Sequence, residues 1–214
     1  MSFETWWSRF TKRGPAARQG FDVTKLPMAD WHFVDQEASS TFWRDAAGDV
    51  ISLTPTGLPM PALSNPIELQ QSSREFSEGQ RAGLVEVTVR EGIQGSCLTF
   101  IYKRLEHLAF KFCGVAQAPG RTGSWLWMVV CNEHGTTGIR EAIVTARMIK
   151  SGRLTVDSYR TSWARDPYEP AYDGVEASTL RYLSDDVEYD VEFPDHPLTK
   201  SRRELDRLIR IQLP

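Results

Sequence analysis

Hydrophobic and polar residues alternate through the middle of the chain, and this alternation predicts much of its secondary structure. In residues 85–90 every second position is a valine and the positions between are polar, the period of two typical of a half-buried strand. Strand-like runs follow at 97–103, 108–112 and 124–131, joined by short turns. Consecutive strands with short connections predict an antiparallel four-strand meander.

Helical spacing of apolar residues appears before and after this region. A proline-rich loop ends in Asn65-Pro-Ile-Glu68, which suits an N-cap, a proline in the first turn and a capping glutamate, and predicts a helix over about 66–81. Further helices are predicted over about 138–151 and from about Thr199. The apolar spacing of the second helix comes from Ile139, Ala142, Ile143, Ala146 and Ile149.

The order of these elements predicts the fold class. Residues 30–54 read as short strands with a hairpin loop at 45–49. With the later elements this gives an α+β fold, an antiparallel sheet flanked by helices. Residues 1–25 are predicted to be a peripheral segment, in which Trp6 and Trp7 pack on the domain or on a partner. Residues 26–214 are predicted to form a single α+β domain.

Composition and charge narrow the classes of function. The chain has 214 residues, 41% hydrophobic and 25% charged, which is typical of a soluble globular protein. The net charge of −3 gives no case for nucleic-acid binding or for an anionic membrane surface. No apolar stretch approaches the roughly 20 residues that span a bilayer, and the N-terminus lacks the pattern of a signal peptide. We therefore expect a cytoplasmic protein.

The junction between the apolar run at 125–131 and the following helix is the first candidate site. A helix start offers free N–H groups, and with Arg140 these could hold a phosphate or carboxylate. That would suit a small hydrolase or an anion-binding enzyme. Alternatively Arg140 pairs with a neighbouring glutamate and a threonine caps the helix, which is a purely structural role. The candidate residues are Glu133, His134, Thr136, Thr137, Arg140 and Glu141.

Other chemistry is not indicated by the sequence. The three cysteines lie in apolar runs and are expected to be reduced core thiols. The four histidines are scattered without helical metal spacing, so neither a metal site nor a cofactor is predicted. The acidic stretch 184–195 lacks the spacing of a calcium loop and is expected to be an edge strand or an ordered loop. It could also pair with the arginines of the last helix, within the chain or across a dimer.

Several short motifs, together with the order of elements, resemble an uncharacterised family of soluble bacterial proteins over about residues 25–214. The layout is also similar to the PsbP-like α/β/α sandwich, whose members are mostly binding or accessory proteins. The resemblance therefore implies a binding role and supplies no catalytic residues. The motifs that carry it are Ile101-Tyr-Lys103, Gly135-Thr-Thr-Gly-Ile-Arg-Glu-Ala142, Asp166-Pro-Tyr168, Ser184-Asp-Asp186 and Phe193-Pro-Asp-His-Pro-Leu198.

The sequence thus favours a non-enzymatic binding or accessory protein that acts through a protein partner. Aromatic and charged loop residues suit protein interfaces, and Asp166, Tyr168 and Tyr172 are the candidates for contact with the partner. A homodimer formed through the last helix is a further possibility. Neither a nucleic-acid nor a membrane partner is expected.

Overall fold

A computed structural model describes residues 23–28, 30–37, 39–56, 59–120, 123–135 and 138–213. Within these ranges the main feature is a seven-stranded antiparallel sheet in the order β1-β2-β3-β7-β6-β5-β4. The predicted α+β class with an antiparallel sheet is therefore confirmed. The strands are β1 (His32–Glu37), β2 (Ser40–Arg44), β3 (Val50–Thr56), β4 (Gly83–Gly92), β5 (Gly95–Glu106), β6 (Ala109–Gly120) and β7 (Gly123–Asn132).

Helices follow β3 and β7, and the last one ends near the C-terminus. A short antiparallel pair, β8 (Ala164–Arg165) and β9 (Arg181–Tyr182), lies beside them. None of the described helices has both the length and the apolar character needed to cross a membrane. The helices are α1 (Pro66–Gly79), α2 (Ile139–Lys150), α3 (Val156–Ser162) and α4 (Pro197–Leu208).

Helix α1 begins where its cap residues predict. The side chain of Asn65 accepts a hydrogen bond from the Glu68 backbone N–H at 3.3 Å, and a proline occupies the first turn. Leu69 and Ser73 then form its buried face. A local signal of this kind, read from adjacent residues, is enough to fix the start of a helix.

The two faces of the sheet are covered by different helices. On β5, Cys97 and Ile101 point to the core that includes Leu205 of α4. Leu98 and Phe100 point to the opposite core, which includes Leu69 of α1. Successive residues of a strand point to opposite faces of the sheet. Here the residues on both faces are apolar because both faces are covered.

Helix α4 lies especially close to the sheet at Gly114. A Cβ atom built on this glycine would lie 2.6 Å from the Ser201 Oγ and 2.9 Å from the Leu205 Cδ1. Because Gly114 has no side chain, α4 can pack closely against β6. Leu205, Leu208 and Ile209 are all buried, as the apolar spacing of the last helix predicts.

Helix α2 forms as predicted, but with its apolar stripe turned outward. Its buried residues are Arg140, Val144 and Met148, which recur every four positions on the other side of the helix. Val144 and Met148 pack with Trp163 in a small core beside the sheet. The residues whose spacing predicted the helix, Ile139, Ala142, Ile143, Ala146 and Ile149, are all exposed.

Candidate functional site

Arg140 holds the acidic segment of its own chain. Its guanidinium donates hydrogen bonds to the backbone carbonyls of Ser184 at 2.7 Å and Asp186 at 2.9 Å. It also bonds to the carboxylate of Asp190 at 3.0 Å and to the hydroxyl of Thr199 at 3.0 Å. The prediction that Arg140 pairs with Glu133 or Glu141 is therefore wrong. The acidic segment that it binds is an ordered loop of 3₁₀ turns and not an edge strand.

Two more buried cations extend this network. Arg202 of α4 bonds to Asp190 at 2.8 Å and to Glu86 at 2.6 Å. Lys103 of β5 pairs with Asp185 at 2.9 Å, and both side chains are fully buried. Burial alone would raise the pKa of Asp185, but the charge and hydrogen bond of Lys103 outweigh it and hold that pKa below its ordinary value. Each of these cations therefore has its own carboxylate, as buried charges require.

Glu133, Glu141 and His196 meet beside this network. One oxygen of each glutamate and one ring nitrogen of the histidine lie within 4.8 Å of one another. Glu133 follows β7, Glu141 lies in the first turn of α2, and His196 is the N-cap of α4. The C-terminal end of β7 and the N-terminal ends of α2 and α4 thus meet at one point. The scattered positions of the histidines gave no indication of this grouping.

Burial shifts the pKa values of Glu141 and His196. It raises the pKa of the Glu141 carboxyl, and it lowers the pKa of His196 to about 3, so the imidazole is neutral. The Nδ1 of His196 accepts a hydrogen bond from the Leu198 backbone N–H at 3.2 Å. Because Nδ1 is the acceptor, the neutral ring carries its proton on Nε2. That nitrogen lies 3.8 Å from the Glu141 Oε1.

The other predicted residues of this turn do not join the group. The side chain of His134 is 54% exposed and lies 3.6 Å from the Asp49 carboxylate. Thr136 and Thr137 lie outside the described residues. The N-cap position of α2 is occupied by Gly138, whose φ of 76° is in the left-handed region.

The predicted interface loop is attached to the body of its own domain. Asp166 is fully buried and receives two hydrogen bonds from Arg74 of α1, at 3.1 and 2.9 Å. The hydroxyl of Tyr168 accepts from the Val87 N–H at 2.6 Å and donates to the Val87 carbonyl at 3.2 Å. Tyr172 donates to Glu78 of α1 at 2.5 Å. These contacts give the loop a structural role on α1 and β4.

A cavity of about 280 Å³ opens beside the β8–β9 pair. Arg165 and Arg181 are directly opposite each other in the ladder and both line it. Like charges at such positions repel, and the ion pair of Arg181 with Asp186 partly relieves this. The lining is therefore polar, with two arginines and one aspartate.

The exposed apolar stripe of α2 is hereafter called the outer face, made of Ile139, Ala142, Ile143, Ala146 and Ile149. Its isoleucines are 49%, 38% and 44% exposed in chain order. At one margin Arg147 pairs with Glu192, which holds the loop of Val191 against the helix, and Val191 is 92% exposed. Lys150, at the C-terminal end of the face, is exposed and forms no ion pair among the described residues.

The sequence matches no family model, and it matches no curated protein.

Proposed function

We propose that this protein is a non-enzymatic binding protein whose outer face docks an acidic, amphipathic helix of a protein partner. The observation that carries the proposal is the exposure of a whole apolar helix stripe. The apolar stripe of a surface helix normally faces its own core, whereas here the core is formed by the opposite side. Contiguous exposed apolar residues mark interaction sites.

The shape of the outer face suits another helix. Ala142 and Ala146 are one turn apart and lie between Ile149 on one side and the Ile139–Ile143 row on the other. Small residues between larger ones form a groove along the helix that accepts a ridge of a second helix. Such helix-in-groove recognition relies on apolar anchors spaced at i, i+3, i+4 and i+7 in the partner.

Charge favours an acidic partner. Lys150 lies at the C-terminal end of the outer face and forms no ion pair among the described residues, whereas Glu141 of the same helix points inward and is nearly buried. A carboxylate on the docked helix would pair with Lys150 and fix the direction of that helix.

The positive charge of the outer face disfavours two other binding partners, a second copy of this chain and its own N-terminal segment. In an antiparallel pair of α2 helices, Lys150 of each copy would face the positive N-terminal end of the other, and a parallel pair would bring the Lys150 side chains together. Residues 1–22, which lie outside the described residues, include Arg9, Lys12 and Arg13 near apolar positions, so this segment has the same sign of charge as the outer face. A separate acidic partner therefore fits better than a second copy or the N-terminal segment.

The proposal keeps the accessory role predicted from the sequence and moves the interface. The loop of Asp166, Tyr168 and Tyr172 is engaged in contacts with α1 and β4, so we place docking on α2. The PsbP-like resemblance, which implies binding and accessory roles, supports the same class of function. The hydrolase or anion-binding alternative has less support, because Arg140 is occupied by its own chain.

Site-specific photo-crosslinking in the native cell tests the outer face directly. A photoreactive residue at position 146 is expected to give one abundant adduct, whose crosslinked peptide is acidic and amphipathic. The same residue at position 67 is the matched control, since Ile67 is an isolated exposed isoleucine of α1. The captured segment, made as a synthetic peptide, is then titrated against the purified full chain.

Ile143→Asp is expected to weaken binding of that peptide by about 10- to 100-fold, because burying an isoleucine is worth about 1.5–3 kcal/mol. Ile67→Asp should leave the affinity unchanged. Lys150→Glu should also weaken binding, and reversing an acidic residue of the peptide should restore it. Adducts between copies of this chain, binding to anionic vesicles instead, or equal crosslinking at positions 67 and 146 would each overturn the proposal.

A further inference from the structure

The group formed by Glu133, Glu141 and His196 contains buried polar atoms with unmet bonding capacity. The His196 side chain is only 8% exposed, and its Nε2 has no hydrogen-bond partner. Both carboxylate oxygens of Glu141 are likewise buried and unbonded. Buried polar atoms are nearly always hydrogen-bonded, so several unbonded atoms facing one another at one point indicate a missing ligand.

The formal charges of the side chains around this point favour the binding of a cation. Lys103, Arg140 and Arg202 each have a carboxylate partner within the network described above. Glu133 and Glu141, in contrast, form no ion pair with a lysine or arginine in the described part of the chain. The two glutamates bring two formal negative charges, and a neutral imidazole faces them.

Glu133 is already oriented toward this point by the backbone. Its Oε1 accepts from the Gly138 N–H at 2.7 Å and its Oε2 from the Phe110 N–H at 3.3 Å. Each carboxylate oxygen has a second lone pair, so these bonds fix the side chain without using up its capacity. A ligand atom held in this way costs little to organise when a cation binds.

We propose that Glu133, Glu141 and His196 bind a divalent first-row transition-metal cation such as Zn²⁺ or Mn²⁺. The combination of one imidazole and two carboxylates suits these ions. Calcium and magnesium prefer all-oxygen sites, and copper(I) prefers sulfur. Three protein ligands leave at least one coordination position for water.

Coordination through Nε2 requires a change at the start of α4. The proton must move from Nε2 to Nδ1, so Nδ1 can no longer accept from the Leu198 N–H. Binding at this site therefore removes the side-chain cap of α4, and the backbone amide of Leu198 reports it. An adventitious ion at a surface histidine such as His134 would leave that amide unchanged.

The test is calorimetric titration of the metal-free full chain with Zn²⁺ and Mn²⁺. We expect one cation per chain. Glu141→Gln and His196→Asn are expected to weaken binding by about 100-fold or more, since loss of even an outer partner of a metal ligand costs about 10- to 100-fold. Asparagine is a preferred N-cap residue, so His196→Asn removes the ligand and keeps a cap for α4.

Two controls keep the result interpretable. His134→Gln removes an exposed histidine of the same turn and should leave the affinity unchanged. In EDTA both ligand variants should melt near the wild-type temperature, while Zn²⁺ should raise the melting temperature of the wild type alone. On binding Zn²⁺, the Leu198 amide resonance of the wild type is expected to shift.

The proposal is overturned by an absence of stoichiometric binding, by equal affinity in wild type and both ligand variants, or by loss of binding in His134→Gln. An unchanged Leu198 amide on saturation with Zn²⁺ also overturns it, and that measurement needs no variant to fold. These outcomes do not depend on the outer face, so either proposal can be overturned without affecting the other.

Discussion

At the scale of single residues, Arg140 connects α2 to the segment that precedes α4. It is fully buried and binds two backbone carbonyls, a carboxylate and a hydroxyl of residues 184–199. An arginine at the start of a helix beside glutamates is expected both in an anion-binding site and where the arginine bonds only to its own chain. The sequence context therefore does not distinguish the two roles. The acceptors come from about 50 residues further along the chain, so no local pattern could identify them.

Arg140→Ala is therefore expected to destabilise the fold. Removing one partner from a buried, hydrogen-bonded charge network costs about 3–5 kcal/mol, because carbonyls and a carboxylate lose their donor. The measurement is the free energy of unfolding in urea. Arg153→Ala is the matched control, since Arg153 is 62% exposed and lies 3.8 Å from Glu188, and its effect should be close to zero. Equal effects in the two variants would contradict a structural role for Arg140.

His196 shows a second limit of sequence reasoning at this scale. The proline that follows it predicts the start of a helix, and the histidine does lie at the N-cap of α4. Its meeting with Glu141 depends on how Arg140 attaches α2 to the segment that precedes α4. Only the three-dimensional arrangement brings the ring to the two glutamates.

At the scale of elements, α4 depends on a close approach to β6. Gly114→Ala would place a methyl group 2.6 Å from the Ser201 Oγ, closer than real Cβ atoms come to another heavy atom. We expect a loss of about 1–3 kcal/mol in the free energy of unfolding, as for other overpacked cores. Gly79→Ala is the control, because a Cβ there meets nothing within 4 Å, and it should be neutral or slightly stabilising. Equal stability of the two variants would show that α4 can shift at no cost.

Elements were predictable where their signals are local. The cap residues of α1 and the alternation of β4 need only neighbouring residues, and both elements form where predicted. The periodicity of α2 predicted a helix correctly and gave no information on which side packs, because an apolar stripe marks a helix whether it faces a core or a partner. The acidic stretch also alternates, yet Arg140 and Arg202 bind its Asp190 carboxylate and its backbone carbonyls, and the backbone turns instead of extending.

At the scale of the whole molecule, the two edges of the sheet differ. Every residue of β1 is exposed, including Phe33 at 47% and Val34 at 49%. On the opposite edge, the hydroxyl of Tyr168 bonds to both the N–H and the carbonyl of Val87 in β4. Edge strands with free backbone groups are prone to pair with other chains, so this hydroxyl protects one edge at its middle.

Amide hydrogen exchange should show the asymmetry. We expect the amides of β1 to exchange fastest in the sheet and Val87 to be protected despite its edge position. Tyr168→Phe removes only the hydroxyl and should release the protection of Val87, with a loss of about 1–3 kcal/mol in stability. Tyr159→Phe, at a hydroxyl with no hydrogen bond in the described part of the structure, serves as control. Protection of Val87 that survives Tyr168→Phe would contradict this account.

The position of α4 in the chain has a consequence for biosynthesis. All seven strands of the sheet have been made once Asn132 has left the ribosome, but much of the cover of one face comes from residues 197–213, which are made later than the strands and than Met28 and Trp31 of the same core. During translation of the intervening segment, the core of Trp127 and Val129 lacks the part that α4 and the residues after it contribute. The nascent chain therefore passes through a stage with a large exposed apolar face, during which it depends on chaperones or on rapid completion of synthesis.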